Sequence, residues 1–404
     1  MKISENNNSK KIKQKTVVSE KDFPIVGIGV SAGGLEALEL FFENMPKDNG
    51  MAIIVIQHLD PYHPSMMPEL LQRITSMKVF QATDRLMIKP NHVYVIPPNK
   101  SMSILNDTLY LFEPIEIRGM RLPIDYFFRS LAIDRKEKSI GIILSGMGTD
   151  GSLGFKAIKE SNGLLLVQEP TDAKFEAMPR SAINAVQVDV VANANELPRK
   201  LIELVKHIPL SKSESISDTK NISNLEKIVI LLRAQTGHDF SLYKKNTMFR
   251  RIERRMNVHQ IDKIHNYVRF LQENPKETEI LFKELLIGIT SFFRDAAVWE
   301  KLKTKVFPEL FDKAPNGYAF RAWVAACSTG EEAYTLAIIF KEAYQEIKHE
   351  KNFTLQIFAS DLEIDAIELA RKGEYSSNIL SDVSSERIRD YFTVYGAGFK
   401  ISSS

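Results

Sequence analysis

The segment IVGIGVSAGG at 25–34 constrains the fold more than any other part of the chain: an uninterrupted apolar run enters a small-residue turn, which opens directly onto the amphipathic stretch LEALELFFENM. A short apolar run without alternation reads as a strand buried on both faces. Such strands build parallel sheets whose crossovers are helices. Similar runs stand at 52–57, 140–144 and 164–168, separated by helix-like sequence. The first half is therefore expected to be a parallel, doubly wound α/β domain. A local exception is expected at 92–112, where HVYVIPP, SMSIL and TLYLF are divided by Pro97-Pro98-Asn99 and Asn106-Asp107. These turn residues suit a small antiparallel excursion.

A length of 404 residues asks for two or three domains rather than one core. Residues 1–22 are polar and lysine-rich and are expected to be a disordered tail, and 209–223, rich in Ser and Lys, a linker. The first domain then occupies 23–208. Beyond the linker the period becomes helical at 225–234, 245–256, 263–271 and 276–287, with Gly237 placed to end the first helix. This predicts a small all-helical domain over 224–312. A second α/β pattern over 313–404 follows, with strand FRAWVAA, the turn Ser328-Thr329-Gly330, a helix from 331 to about 348, and strand TLQIFAS.

Lys plus Arg number 53 and Asp plus Glu 51, so no global field draws the chain to nucleic acid or to an anionic membrane. Cys327, the single cysteine, excludes an internal disulfide framework, and neither a signal peptide nor a long apolar span is evident. A cytoplasmic setting without membrane insertion is expected.

The turn after the first strand carries Ser31 at a sheet edge and a helix N-terminus, where backbone N–H groups can stabilise a developing oxyanion. The second strand, AIIVIQ, delivers His58 to the same edge. SIGIILSG ends in Met147-Gly148-Thr149-Asp150-Gly151 and brings Asp150 there as well. Parallel sheets collect their ligands at this edge. The trio is chemically complete: Ser31 as nucleophile, His58 as general base and then acid, Asp150 fixing the imidazole tautomer. Each residue also has a plainer reading, as a helix cap, a structural histidine and a turn aspartate. A dinucleotide site is the rival, since Gly27, Gly29 and Gly33 lie near one turn with Asp60 after the next strand. Their G-x-G-x-x-x-G spacing is one residue off the usual fingerprint.

IGVSAGG, VIQHLDP and LSGMGTDGSLG, followed by VQEPTDAKFEAMPRSAI, resemble the catalytic domain of the chemotaxis protein-glutamate methylesterases (CheB-type) over about 23–208. The resemblance implies a cofactor-free hydrolase of glutamate methyl esters on receptors, with possible glutamine deamidation in some members. It implies Ser31 as nucleophile, His58 as base, Asp150 as its partner, and the Met147 N–H as an oxyanion donor. Ala32 stands where such enzymes usually carry Thr, and the short first segment cannot hold the receiver domain usual in front.

In the second half, LYKKNTMFRRIERRM sets Arg250 with Arg254 and Arg251 with Arg255 at i,i+4 spacing, a basic helix face. A solvated face or a nucleic-acid contact are the general readings. ITSFFRD, WVAACSTGEEAYTLAI and IFASDLEIDAIELARKGEY, with that helix, resemble the chemotaxis receptor methyltransferases (CheR-type) from about 224 onward. The resemblance implies that the four arginines engage acidic receptor helices. It also implies an S-adenosylmethionine site using Thr290, Arg294, Glu331 and Asp361. Asp361 has a helix N-cap as its plain alternative, Arg294 a solvated loop position. Cys327 reads as a small packed residue. No metal is expected. Further strands of a doubly wound transferase are expected after Asp361, and the chain reads as containing only the first part of a Rossmann-like fold, with an incomplete cofactor site.

The whole is expected to be a receptor-directed methylesterase fused to a partial receptor methyltransferase. The alternative is a receptor-binding scaffold without methyl transfer.

Overall fold

The computed structural model describes residues 23–57, 66–113, 122–206, 219–288, 290–347, 351–396 and 398–402. The expected tail at 1–22 lies outside them. The first unit contributes strands β1 (Ile25–Val30), β2 (Ala52–Gln57), β3 (Lys78–Gln81), β4 (Leu86–Met87), β5 (His92–Val95), β6 (Ser101–Leu105), β7 (Thr108–Phe112), β8 (Ser139–Ile143), β9 (Leu164–Gln168) and β10 (Val190–Ala192). Its helices are α1 (Gly34–Glu43), α2 (Met67–Ile74), α3 (Pro123–Arg135), α4 (Ser152–Glu160), α5 (Ala177–Ala185) and α6 (Leu197–Lys206).

One parallel sheet runs β10-β9-β8-β1-β2-β5-β3. Its central strands β1, β8 and β9 are buried along their whole length, as their uninterrupted apolar sequences demand. Leu38, Phe41, Leu71 and Leu201, from α1, α2 and α6, cover one face. Phe127, Phe128, Phe155 and Met178, from α3, α4 and α5, cover the other together with Met102 of β6. The antiparallel excursion is smaller than expected. β4, β7 and β6 form it, whereas His92–Val95 joins the main sheet between β2 and β3. Its three buried residues Val93, Tyr94 and Val95 find cover on both faces only there.

The glycines of β1 serve packing. A Cβ on Gly27 would stand 2.7 Å from the Phe128 ring, and one on Gly29 would stand 2.6 Å from Ile124 Cγ2. Helix α3 thus lies directly on β1, and the nucleotide reading of these two glycines has no support in their placement.

The second half begins with α7 (Thr219–Thr236), α8 (Lys245–Val258), α9 (Ile264–Glu273) and α10 (Pro275–Leu285), packed around Ile228, Leu232, Ile252, Tyr267 and Leu281. Residues 219–223, expected in the linker, are helical; 209–218 lie outside the described residues. Helices α11 (Ala296–Lys301) and α12 (Phe307–Lys313) do not join this helical core, contrary to the expected limit at 312. Phe307 and Phe311 pack on Ile339 and Phe340 of α13 (Glu331–Ile347), so the boundary falls before residue 292.

Strands β11 (Ala319–Ala325) and β12 (Thr354–Ser360) pair in parallel. The chain then continues through α14 (Ile364–Lys372), β13 (Glu374–Ser376), α15 (Ser385–Tyr391), β14 (Phe392–Tyr395) and β15 (Gly398–Ile401), with an antiparallel sheet in the order β13-β15-β14. That meander was not expected from the sequence. One face of the β11–β12 pair is open, with Trp323 73% and Phe358 49% exposed. Among the described residues, no helix is long and apolar enough to cross a membrane.

Candidate active site

β1 and β2 run in register to Val30 opposite Gln57, so the next residues in the chain are Ser31 and His58. Ser31 stands half-buried at the sheet edge; His58 lies outside the described residues. The Ser31 N–H donates to Ser145 O at 3.1 Å, and its carbonyl accepts from Gly34 N at 2.9 Å. These bonds fix the turn before α1. Gly33 follows with φ 70°, a left-handed conformation, and a Cβ there would meet Ser145 Oγ at 2.8 Å. Conformation and space both select glycine at this position. Ser31, Gly34, Glu36, Glu39, Gln57 and Lys174 line a groove of about 760 Å³. Glu36 and Lys174 pair across its rim at 3.1 Å.

The third loop reaches the same place. A Cβ on Gly146 would lie 3.0 Å from Ser31 Cβ, so the backbone leading into Met147 runs beside the serine. The Met147 side chain is 60% exposed. Asp150 is buried, and its carboxylate accepts from Ile124 N at 3.0 Å and Asp125 N at 2.9 Å, at the first turn of α3. A carboxylate has acceptor capacity beyond two such bonds. The neighbouring Asp125 carboxyl is pushed well above the ordinary range, first by burial and then by the charge of Asp150.

Sequence reasoning missed Ser145 and Gln168. The Ser145 hydroxyl donates to Ala32 O at 3.0 Å and accepts from Phe175 N at 3.0 Å, tying the serine turn to the segment after β9. Gln168 Oε1 accepts from Ser145 N at 2.8 Å. LSGMG and VQEP contain both residues; nothing in their spacing shows that they meet.

In the second half, the turn after β11 holds Glu331 and Asp361, two of the four residues associated with S-adenosylmethionine. Asp361 Oδ2 accepts from Ser328 N at 2.8 Å and Oδ1 from Glu363 N at 2.9 Å. It is therefore a bridge between two turns, while Glu363 occupies the N-cap position of α14. Glu331 is buried at the start of α13 and accepts from the Thr329 hydroxyl at 2.6 Å. Burial pushes its carboxyl up, against the opposing Thr329 hydrogen bond and the charge of Lys156. Ser328 Oγ donates to Gly288 O at 3.2 Å and Phe293 N donates to Thr335 Oγ1 at 3.2 Å, which hold the segment bearing Thr290 against this turn. Arg294 is exposed and lies 3.6 Å from Glu160 of α4. These groups fit a ligand with an ammonium and a ribose diol: Asp361 directly follows β12 and Glu331 opens α13 after the turn from β11, both with lone pairs left.

The four-arginine face requires correction. Arg254 and Arg255 are only 5% and 4% exposed and so cannot face a partner. Arg255 forks onto Glu277 at 2.9 and 2.7 Å. Arg254 reaches Glu284 at 2.6 Å and Asp189 at 2.5 Å. Lys159 closes a ring with the same two carboxylates, at 2.8 Å from Glu284 and 3.4 Å from Asp189. Arg251 is largely covered near Glu284, which leaves Arg250 as the exposed member of the four. A basic i,i+4 pattern shows which residues share a face; here the acidic partners that bury it come from elsewhere in the chain.

Residues 26–201 match the CheB methylesterase family, 223–286 the CheR methyltransferase all-alpha domain and 289–404 the CheR methyltransferase SAM-binding domain. An uncharacterised 104.1 kDa protein of Rhodobacter capsulatus is 33% identical over 357 residues, 83% of this chain and 37% of its own length. The chain thus spans little more than a third of that relative. A putative protein-glutamate methylesterase/protein-glutamine glutaminase of Leptospira interrogans is 34% identical over 45% of this chain and 95% of its own length. The crystal structure of the Thermotoga maritima CheB methylesterase catalytic domain is similar at 30% identity, over 45% of this chain and 98% of that one, with a TM-score of 0.42. The chain belongs to the CheB methylesterase family through its first half and carries the all-alpha and SAM-binding domains of the CheR methyltransferases in its second.

Proposed function

We propose that the first half hydrolyses methyl esters of glutamate side chains on chemotaxis-type receptors, in a cytoplasmic setting, with Ser31 as nucleophile. The observation that carries this reading is that Ser31 and Gln57, at the ends of β1 and β2, line one groove, with the Gly146 backbone directly beside the serine. Ser31 Oγ attacks the ester carbonyl while His58 takes its proton, and the Met147 N–H stabilises the oxyanion. Methanol leaves with the proton from His58. Water then attacks the acyl-Ser31 with His58 again as base, and glutamate is released. Asp150 orients the His58 ring. A glutamine side chain entering the same path would release ammonia in place of methanol.

In the second half, Glu331, Asp361, Thr290 and Arg294 are the residues that would hold S-adenosylmethionine, which supplies an electrophilic methyl group when bound. Glu331 would face the ammonium, Asp361 the ribose diol. Arg250, with exposed Lys244 and Lys245 ahead of it, offers the accessible positive charge of α8 to acidic receptor helices. The names of the similar methylesterases support the hydrolase reading, and the CheR matches support the transferase family.

The test is methanol release from a receptor fragment methylated on its glutamates. Wild-type chain is expected to release methanol and Ser31→Ala to lose roughly 10³-fold or more of kcat. Undiminished release by folded Ser31→Ala would overturn the assignment.

A further inference from the structure

The two halves meet at the loop that carries Asp150. Asn378 lies in a short 3-10 turn after β13, in the CheR-family half, and is fully buried. All three side-chain hydrogen bonds it makes go to the methylesterase half. Its amide donates to Thr149 O at 3.0 Å and to Asp125 Oδ2 at 3.1 Å, and its carbonyl accepts from Thr149 Oγ1 at 2.7 Å. The orientation of the amide is set by chemistry, because Thr149 O can only accept.

These contacts grip two supports of Asp150. Thr149 is the residue before it. Asp125 supplies one of the two N–H groups on its carboxylate, at 2.9 Å, and Asp125 Oδ1 accepts in turn from Gly154 N at 2.6 Å in α4. Arg129 of α3 lies 3.4 Å from Asp382 and 3.4 Å from Ser381 Oγ beside this contact. The Lys159-Asp189-Arg254-Glu284 ring joins the halves at a second place, with its Lys and Asp from one half and its Arg and Glu from the other. The interface is thus anchored away from Asn378 as well, so Asn378 can act as a fixed abutment for the loop.

We infer that Asn378 is a positioning residue for ester hydrolysis: the methyltransferase-family half sets the geometry of the esterase's acid loop by holding Thr149 and Asp125. This rests on the reading of Asp150 as the residue that orients His58. A misplacement of about an ångström in catalytic geometry can cost as much as 100-fold in rate. Asn378→Ala should loosen the loop without touching the groove that takes substrate. Asn378→Asp should be worse, because it sets a carboxylate against Asp125 and Thr149 O.

The test uses the full chain and a receptor fragment bearing glutamate methyl esters, with active serines counted by a fluorophosphonate. Asn378→Ala is expected to lower kcat per labelled serine by roughly 10- to 100-fold, with KM changed by less than about twofold. Asn378→Asp combined with Asp125→Asn should regain part of the loss, since a donor again faces an acceptor. A purely structural role would lower the count of labelled serines and leave turnover per serine unchanged. Should Asn378→Ala fail to fold, Thr149→Val removes only the hydroxyl that Asn378 accepts and should lower kcat in the same direction. Unchanged turnover per serine in the folded variant overturns the inference. Ser31→Ala run in parallel separates the two failures: if it abolishes release while Asn378→Ala does not alter turnover, only the role of Asn378 falls.

Discussion

Single side chains hold the serine turn in place, and Ser145 does so most directly. Its hydroxyl serves Ala32 O and Phe175 N together. Ser145→Ala removes both bonds, and we expect about 1–3 kcal/mol of lost stability in urea unfolding, with lowered kcat because the turn is released. Unchanged stability would mean that the two loops are held by other contacts. Glu277 makes a different test. Burial alone would raise its carboxyl, but hydrogen bonds from His259, Arg255 and Tyr267 outweigh that and hold it at about 2, below the ordinary 4.5. A depressed carboxyl contributes stability above its unfolded value that is lost as pH falls through the folded one. The helical core should therefore lose stability between about pH 4.5 and pH 2, seen in urea midpoints across that window, and Glu277→Gln should flatten the dependence. Ser31, His58, Asp150 and Met147 were singled out by the sequence as candidates because their motifs sit at strand ends, where chemistry collects in parallel sheets. Ser145 and Gln168 were not, since they act through backbone groups distant in sequence. Arg254 and Arg255 were misread for a related reason: charge spacing along a helix carries no information about Asp189 or Glu284.

Strands and helices were legible in proportion to how strongly their burial shaped their sequence. β1, β2, β8 and β9 are apolar on both faces and appear where expected. β3 is short, exposed at three of its four residues and at the sheet edge, so its sequence shows little. His92–Val95 looked like part of a hairpin series because turn residues follow it, yet its pairing is set by the parallel sheet. The contact of α3 with β1 gives an element-scale prediction. Gly29→Ala would drive a methyl into Ile124, with Cβ 2.6 Å from Cγ2, and Ile124 N is one of the two donors to Asp150. Overpacking of this kind costs about 1–3 kcal/mol. Gly29→Ala should therefore lower both the urea midpoint and kcat, and retention of both would show that α3 can shift freely on the sheet.

At the scale of the whole molecule, a closed ring of four buried charges joins the halves. Removing one member leaves the opposite charges buried and unbalanced, and such losses cost about 3–5 kcal/mol, whereas apolar replacement of a whole pair is often nearly neutral. Glu284→Ala should thus destabilise the chain more than Lys159→Met with Glu284→Met, and should separate the unfolding of the two halves in calorimetry. Equal costs for the two variants would mean that the ring is solvated. The central claim is that Ser31 is the nucleophile of the esterase half, and the most direct measurement is site-mapping of a fluorophosphonate on the intact chain while methanol release is followed. The account predicts one label per chain, on Ser31, with release falling in proportion to labelling and with His58→Ala slowing the reaction of the serine. A label on another residue, or full methanol release from a chain fully labelled at Ser31, would contradict it.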